Sequence, residues 1–190
     1  MELTQFKGNG LCSLVLYRDV IIFCRGFVCS VPNKNIEVVH LLKEKSEILA
    51  HHQNFITFIH SLKSFDENLL RKPIEDGKWS VIEIVGHFCP WDEFVLQHRI
   101  PYLLKCKRLP KGPSVEDLNK HSSLLARTEA VENTLEKCIQ IREELLSQLK
   151  QIPEDDWLIK IQINQSNLTF YEYLKGLKEH DIHHINQIKI

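Results

Sequence analysis

Between residues 128 and 152 the sequence TEAVENTLEKCIQIREELLSQLKQI sets Leu135, Ile139, Leu145, Leu146 and Leu149 at helical spacing, so one face of a long helix must be buried against something. The same period runs through IEVVHLLKEKSEILAHHQNFITFIHSLK, residues 36 to 63, on Val38, Leu41, Leu42, Ile48, Leu49, Phe55, Ile56 and Ile59. A chain with several such faces has to pair them, which predicts helices packed side by side.

Two helix starts are marked by capping-box spacing. Ser80 and Glu83 open WSVIEIVGHFCPWDEFVLQHRIPYLLK, predicting a second helix from Ser80 to Cys106 with a kink near His87 caused by Pro90. Thr169 and Glu172 open a last helix that runs to the end of the chain. Between them, the turn at Leu109 to Pro113 leads to a short helical piece starting at Ser114, and then to the long helix over 128 to 152. Leu158 to Ile163 alternate apolar and polar, which suits a short extended segment but not a sheet. Four long helices with modest connections give an all-α four-helix bundle, with a short extra helical piece between helices two and three.

At 190 residues the chain is long enough for one domain with a core and short for two. Residues 36–190 are assigned to the bundle. Residues 1–35 differ in composition and read as a poorly structured extension. Within it, Arg18, Asp19 and Arg25 break the apolar stretch of residues 11 to 32 into runs well under the roughly 20 residues that a membrane span needs. No membrane association is expected. Lysine and arginine together number 24 against 25 acids, a net charge of -1, so no basic field exists to hold nucleic acid. Six cysteines at 12, 24, 29, 89, 106 and 138 lack CxxC spacing and read as reduced thiols of a cytoplasmic protein. Glycine-rich phosphate loops and GxSxG elbows are missing from the sequence.

Chemistry concentrates in KEHDIHHINQI, residues 178 to 188. His180 and His184 are four residues apart, so both imidazoles leave one helix face and can reach one metal ion, whereas His183 points about 100° away from His184. With ten histidines in the chain this spacing is a weak motif, and a hydrogen-bonded histidine at the edge of a core explains it as well. A third ligand would change the balance. His87 is the candidate, because it flanks the apolar stripe of Ile84, Val85, Phe88 and Trp91, where an unpaired polar ring is costly. Asp181, between the two ligand turns, and Glu83, one turn before His87, are candidate carboxylates behind the ligands. Cys89 reads as a small buried side chain, not a nucleophile.

The run PIEDGKWSVIEIVGH, with His87 eight residues after Trp79, together with the closing HDIHHINQI, resembles the DinB/YfiT-like superfamily over about residues 37 to 190. That resemblance implies a four-helix bundle whose metal is held by three histidines, and it puts His87, His180 and His184 in the ligand positions. It also implies either a metal-dependent hydrolase or a transferase that uses a low-molecular-weight thiol such as bacillithiol, acting on a small-molecule substrate, with homodimers among some relatives. Three imidazoles leave a coordination position open, and nitrogen ligands suit a divalent metal such as zinc or nickel. A non-catalytic metal-binding bundle is the competing reading.

Overall fold

In the computed structural model, side chains are described for residues 43–103, 109–163 and 166–188, and backbone elements also for 15–17, 20–22 and 34–42. Two units are distinguished, Met1–Glu37 and Val38–Ile190. In the first, strands β1 (Val15–Tyr17) and β2 (Val20–Ile22) pair antiparallel, with Leu16 opposite Ile21. The other expectations for residues 1–35, including the reading of the apolar stretch, lie outside the described residues, as do those for Cys12, Cys24, Cys29 and Cys106.

Four long helices dominate the second unit: α1 (Lys34–Leu62), α3 (Val81–His98), α6 (Val131–Gln151) and α7 (Phe170–Ile185). Between α1 and α3 a short helix, α2 (Glu67–Arg71), is capped by the Asp66 side chain. Both capping boxes form as the spacing requires. The Ser80 hydroxyl accepts from the Glu83 amide while the Glu83 carboxylate accepts from the Ser80 amide at 3.0 Å, and Thr169 and Glu172 repeat the arrangement. Just before the first box Gly77 takes φ 73°, the left-handed region where a side chain would be strained.

Three elements depart from expectation. Helix two does not reach Cys106: α3 stops at His98, and a short α4 (Ile100–Leu103) follows. Pro101 supplies the reason, because it has no amide to continue the ladder of α3. Pro90, by contrast, lies inside α3 without ending it. The piece starting at Ser114 is a 14-residue helix, α5 (Val115–Thr128), so the following helix begins at Val131 rather than 128. Finally, Leu158 to Ile163 do join a sheet. After a 3₁₀ turn at Glu154–Leu158, β3 (Lys160–Ile163) pairs antiparallel with β4 (Ser166–Thr169), with Ile161 opposite Leu168.

α3 is the centre of the unit. Every residue from Val81 to Cys89 is buried, which no helix with one free face would allow. Its contacts with α5 are close because Gly86 has no side chain: a Cβ there would stand 2.7 Å from that of Ala126.

The interior is layered. One apolar cluster includes Phe55, Ile59, Val85, Phe88, Leu135 and Ile139. A second, toward the other end, includes Ile48, Val95, Leu145, Leu149, Trp157 and Phe170. Between the two, each long helix turns polar residues inward: His51 and His52 on α1, Asp92 on α3, Arg142 on α6 and Asp181 on α7. Among the described residues no helix is long and apolar enough to cross a membrane.

Candidate metal centre

His87 leaves the buried face of α3 and meets His180 and His184 from α7. One ligand atom from each of the three lies within 4.8 Å of the others. Ring centroids are 4.4 Å apart for His87 and His184, 4.6 Å for His180 and His184, and 5.2 Å for His87 and His180. Phe88 closes one side, and Trp79 lies 5.2 Å from the His87 ring and stacks at 6.5 Å on His184. His183 is exposed and accepts a hydrogen bond from Gln187, which places it outside the cluster.

Hydrogen bonds fix which nitrogens face inward. His87 Nδ1 donates to the Ile84 carbonyl at 2.5 Å, and His184 Nδ1 donates to Gln187 Oε1 at 2.9 Å. In both rings the proton therefore sits on Nδ1, and Nε2 keeps its lone pair. His87 Nε2 is buried without a partner in protein. Burial, reinforced by the neighbouring histidines, pushes His87 down to about 3, and burial also lowers His184. A buried lone pair on a ring that stays neutral, aimed at two further imidazoles, fits a divalent cation held by nitrogen.

Asp181 is buried and lies 4.0 Å from His180 Nδ1, yet its firmest bonds go elsewhere: Oδ2 accepts from Arg142 Nη1 at 2.6 Å and from His51 Nε2 at 2.9 Å. Burial alone would raise this carboxyl, but the Arg142 guanidinium, the neighbouring His180 ring and the hydrogen bond from His51 hold it well below the usual carboxylate range. Arg142 Nε also donates to Asp92 at 2.6 Å; there burial outweighs the guanidinium and lifts Asp92 to about 7. Glu83 does not stand behind His87 as the sequence suggested. Its carboxylate is committed to the Ser80 cap and to Arg127 Nε at 2.6 Å. Cys89 is buried beside Cys138, whose thiol is raised by its hydrogen bond with Cys89 and by burial, and neither reaches solvent as a nucleophile. Arg142, Asp92, His51 and His52 went unnoticed in the sequence, although Arg142 stands on the apolar stripe of its helix, three residues from both Ile139 and Leu145.

Outside the cluster a groove of about 610 Å³ runs along Leu69, Ile74, Trp79 and Ile84 to His184, with Lys72, Lys78 and Glu75 at its edges. Of the three clustered histidines, His184 lines it.

The inverted titration of His87 gives a checkable sign in metal-free protein. A histidine whose folded-state value lies below its unfolded value near 6.5 contributes stability above pH 6.5, and this is lost as pH falls from there toward 3. At pH 5 the loss is about 2 kcal/mol. Asp92 has the opposite sign: a carboxyl raised to about 7 stabilises most below its unfolded value near 3.8, and that contribution is lost as pH rises toward 7. The two offset each other in the parent, so the informative quantity is the stability of the parent minus that of His87→Leu, measured by urea unfolding with chelator present. It is expected to fall by about 2 kcal/mol from pH 7 to pH 5; a pH-independent difference would mean that the His87 ring is solvated.

The fold and the three-histidine cluster define a class, the helical bundles with a candidate nitrogen-lined metal centre. The model of the DinB superfamily matches residues 50–188, and the chain belongs to that superfamily. Among solved structures it is similar to YfiT from Bacillus subtilis, described as a probable metal-dependent hydrolase with an unusual four-helix bundle topology, at 16% identity and TM-score 0.56, covering 84% of this chain and 89% of that one. It is also similar to a mycothiol-dependent maleylpyruvate isomerase at 13% identity and TM-score 0.58, covering 80% of this chain and 61% of that enzyme. At these identities the likeness carries the four-helix bundle fold. Comparison with the curated proteins finds no match.

Proposed function

We propose that the protein is a metal-dependent enzyme, of hydrolase type, that holds a divalent cation on His87, His180 and His184 and acts on a small molecule lying in the groove beside Trp79. The observation that carries this reading is the orphaned Nε2 of His87, a buried lone pair whose natural complement is a cation shared with the two α7 imidazoles. Zinc and nickel suit the ligand set. Such a cation, when bound, supplies Lewis acidity at an open position and lowers the pKa of water. His87 and His184 contribute neutral rings with fixed tautomers. Trp79 and Ile74 offer apolar surface for the substrate body, and Lys72 and Lys78 offer positive charge to an acidic substituent. Asp181 sits behind His180 as a positioning carboxylate, bound to Arg142 and so not free to act as a general base.

A second reading, transfer of a low-molecular-weight thiol, is favoured by the likeness to a mycothiol-dependent enzyme and by Lys72 and Lys78, which line the same groove as His184 and suit an acidic thiol. Protein purified without a histidine tag is expected to hold close to one metal per chain, and His184→Ala well under half of that. Metal content near zero in the parent overturns the proposal. Assays of model esters and amides, and of thiol conjugation, on the same metal-loaded sample separate the readings: turnover that needs added thiol excludes simple hydrolysis.

A further inference from the structure

The buried ion cluster next to the histidines is not explained by ligation. Arg142 is 1% exposed and its guanidinium is held on several sides: by Asp92 Oδ2 at 2.6 Å from α3, by Asp181 Oδ2 at 2.6 Å and Oδ1 at 3.5 Å from α7, and by His52 Nδ1 at 3.2 Å from α1. The face of Phe55 lies 3.8 Å from its central carbon. A buried guanidinium with two carboxylates is weak support for stability, since well-packed apolar residues in such places often do as well or better. Its position suggests a different use.

Each ligand ring needs its Nδ1 fixed if Nε2 is to point at the cation. For His87 the Ile84 carbonyl does this, and for His184 the Gln187 amide oxygen. For His180 the partner at hand is Asp181 Oδ1, 4.0 Å away, and His180 is the most solvent-open of the three, with 40% of its side chain exposed. Asp181 is itself aimed by Arg142, which ties both its oxygens, and by His51 on Oδ2.

We propose that Arg142 is a positioning residue of the metal centre: its two-pronged grip orients the Asp181 carboxylate toward His180 and thereby fixes how that imidazole meets the cation. The inference rests on the three-histidine reading above. It assigns to α6, which contributes no ligand, control over ligand geometry in α7.

Cobalt(II) titration followed by visible spectroscopy tests it, because band positions report coordination geometry as well as affinity. Arg142→Met is expected to bind cobalt 10- to 100-fold more weakly than the parent, with displaced bands, and Arg142→Lys, which keeps the charge but loses the fork, to lie between them. Leu145→Ala, a buried neighbour on the same helix, serves as the control for lost stability: it should melt lower and keep parental affinity and spectrum. Should Arg142→Met fail to fold, Arg142→Lys decides, with at least threefold weakening supporting the proposal. Parental affinity and bands in the Arg142 variants, or equal weakening in Leu145→Ala, would overturn it alone. A parent that takes up no cobalt overturns the three-histidine reading and this inference with it.

Discussion

Replacing His87 by leucine is expected to abolish stoichiometric metal binding and, in the same protein, to make the metal-free state more stable. The first effect follows from the loss of one of three ligands, and the remaining pair on α7 should hold zinc at least 100-fold more weakly. The second follows from the cost of the orphan. His87 Nε2 is buried with no partner, against Phe88 and Trp79, and an unsatisfied buried polar atom costs about 1–3 kcal/mol. Leucine has similar volume, favours helix and puts no polar atom there; the hydrogen bond given up, Nδ1 to the Ile84 carbonyl, is local. A net gain of about 1 kcal/mol is expected for the apo protein at pH 7. Metal analysis and urea unfolding with chelator, run on parent and variant together, check both. A residue kept for packing alone would show no such opposition between binding and stability, and a variant that retains one metal per chain would remove His87 from the site.

The other large effect is expected at the preceding residue. In Gly86→Val the new Cβ would lie 2.7 Å from Ala126 Cβ, 3.5 Å from Thr134 Cγ2 and 3.6 Å from the Ser122 carbonyl oxygen. The first of these atoms is fixed to the α5 backbone and cannot swing aside, so α3 and α5 must separate. Over-packing of this kind costs about 3 kcal/mol. For a chain of this length that lowers Tm by roughly 6–12 °C. Gly86→Ala is milder, because the gain in helix propensity of about 1 kcal/mol offsets part of the strain, and Ala126→Gly in the same chain should restore parental stability. An unchanged melting temperature in Gly86→Val would mean that α3 and α5 do not approach at this point.

What could be read from the sequence was what is decided within a few residues. Ser80 with Glu83, and Thr169 with Glu172, set helix starts because the partners are three residues apart and need nothing else. The α7 pair, His180 and His184, was legible for the same reason. The end of α3 was not, although Pro101 was visible, because a periodic apolar run continued past it to Leu104. The β3–β4 pair escaped because Ser166 to Thr169 have no strand character of their own and become a strand by lying against Lys160 to Ile163. At the site, His87 was an ambiguous core histidine until the packing of Phe88, Trp79 and α7 left its Nε2 without any partner but its fellow imidazoles. Arg142 and Asp92 read as ordinary helix charges, since a buried ion is recognised by its counter-ions and these arrive from other helices. Glu83 shows the converse: it stood at the right distance from His87 in sequence, but its local cap claimed it first.

The band of polar side chains between the two apolar clusters also bears on how far the helices can slip past one another. Were this level built of leucine alone, α6 could slide by one turn, 5.4 Å, and bury nearly the same area. With Arg142 locked to Asp92 on one neighbour and Asp181 on another, the same slide would drive a guanidinium among Leu145 and Leu149's partners and strand two carboxylates in hydrocarbon. The ion cluster therefore acts as a vernier for the bundle, selecting the one axial setting in which His87 on α3 comes level with His180 and His184 on α7.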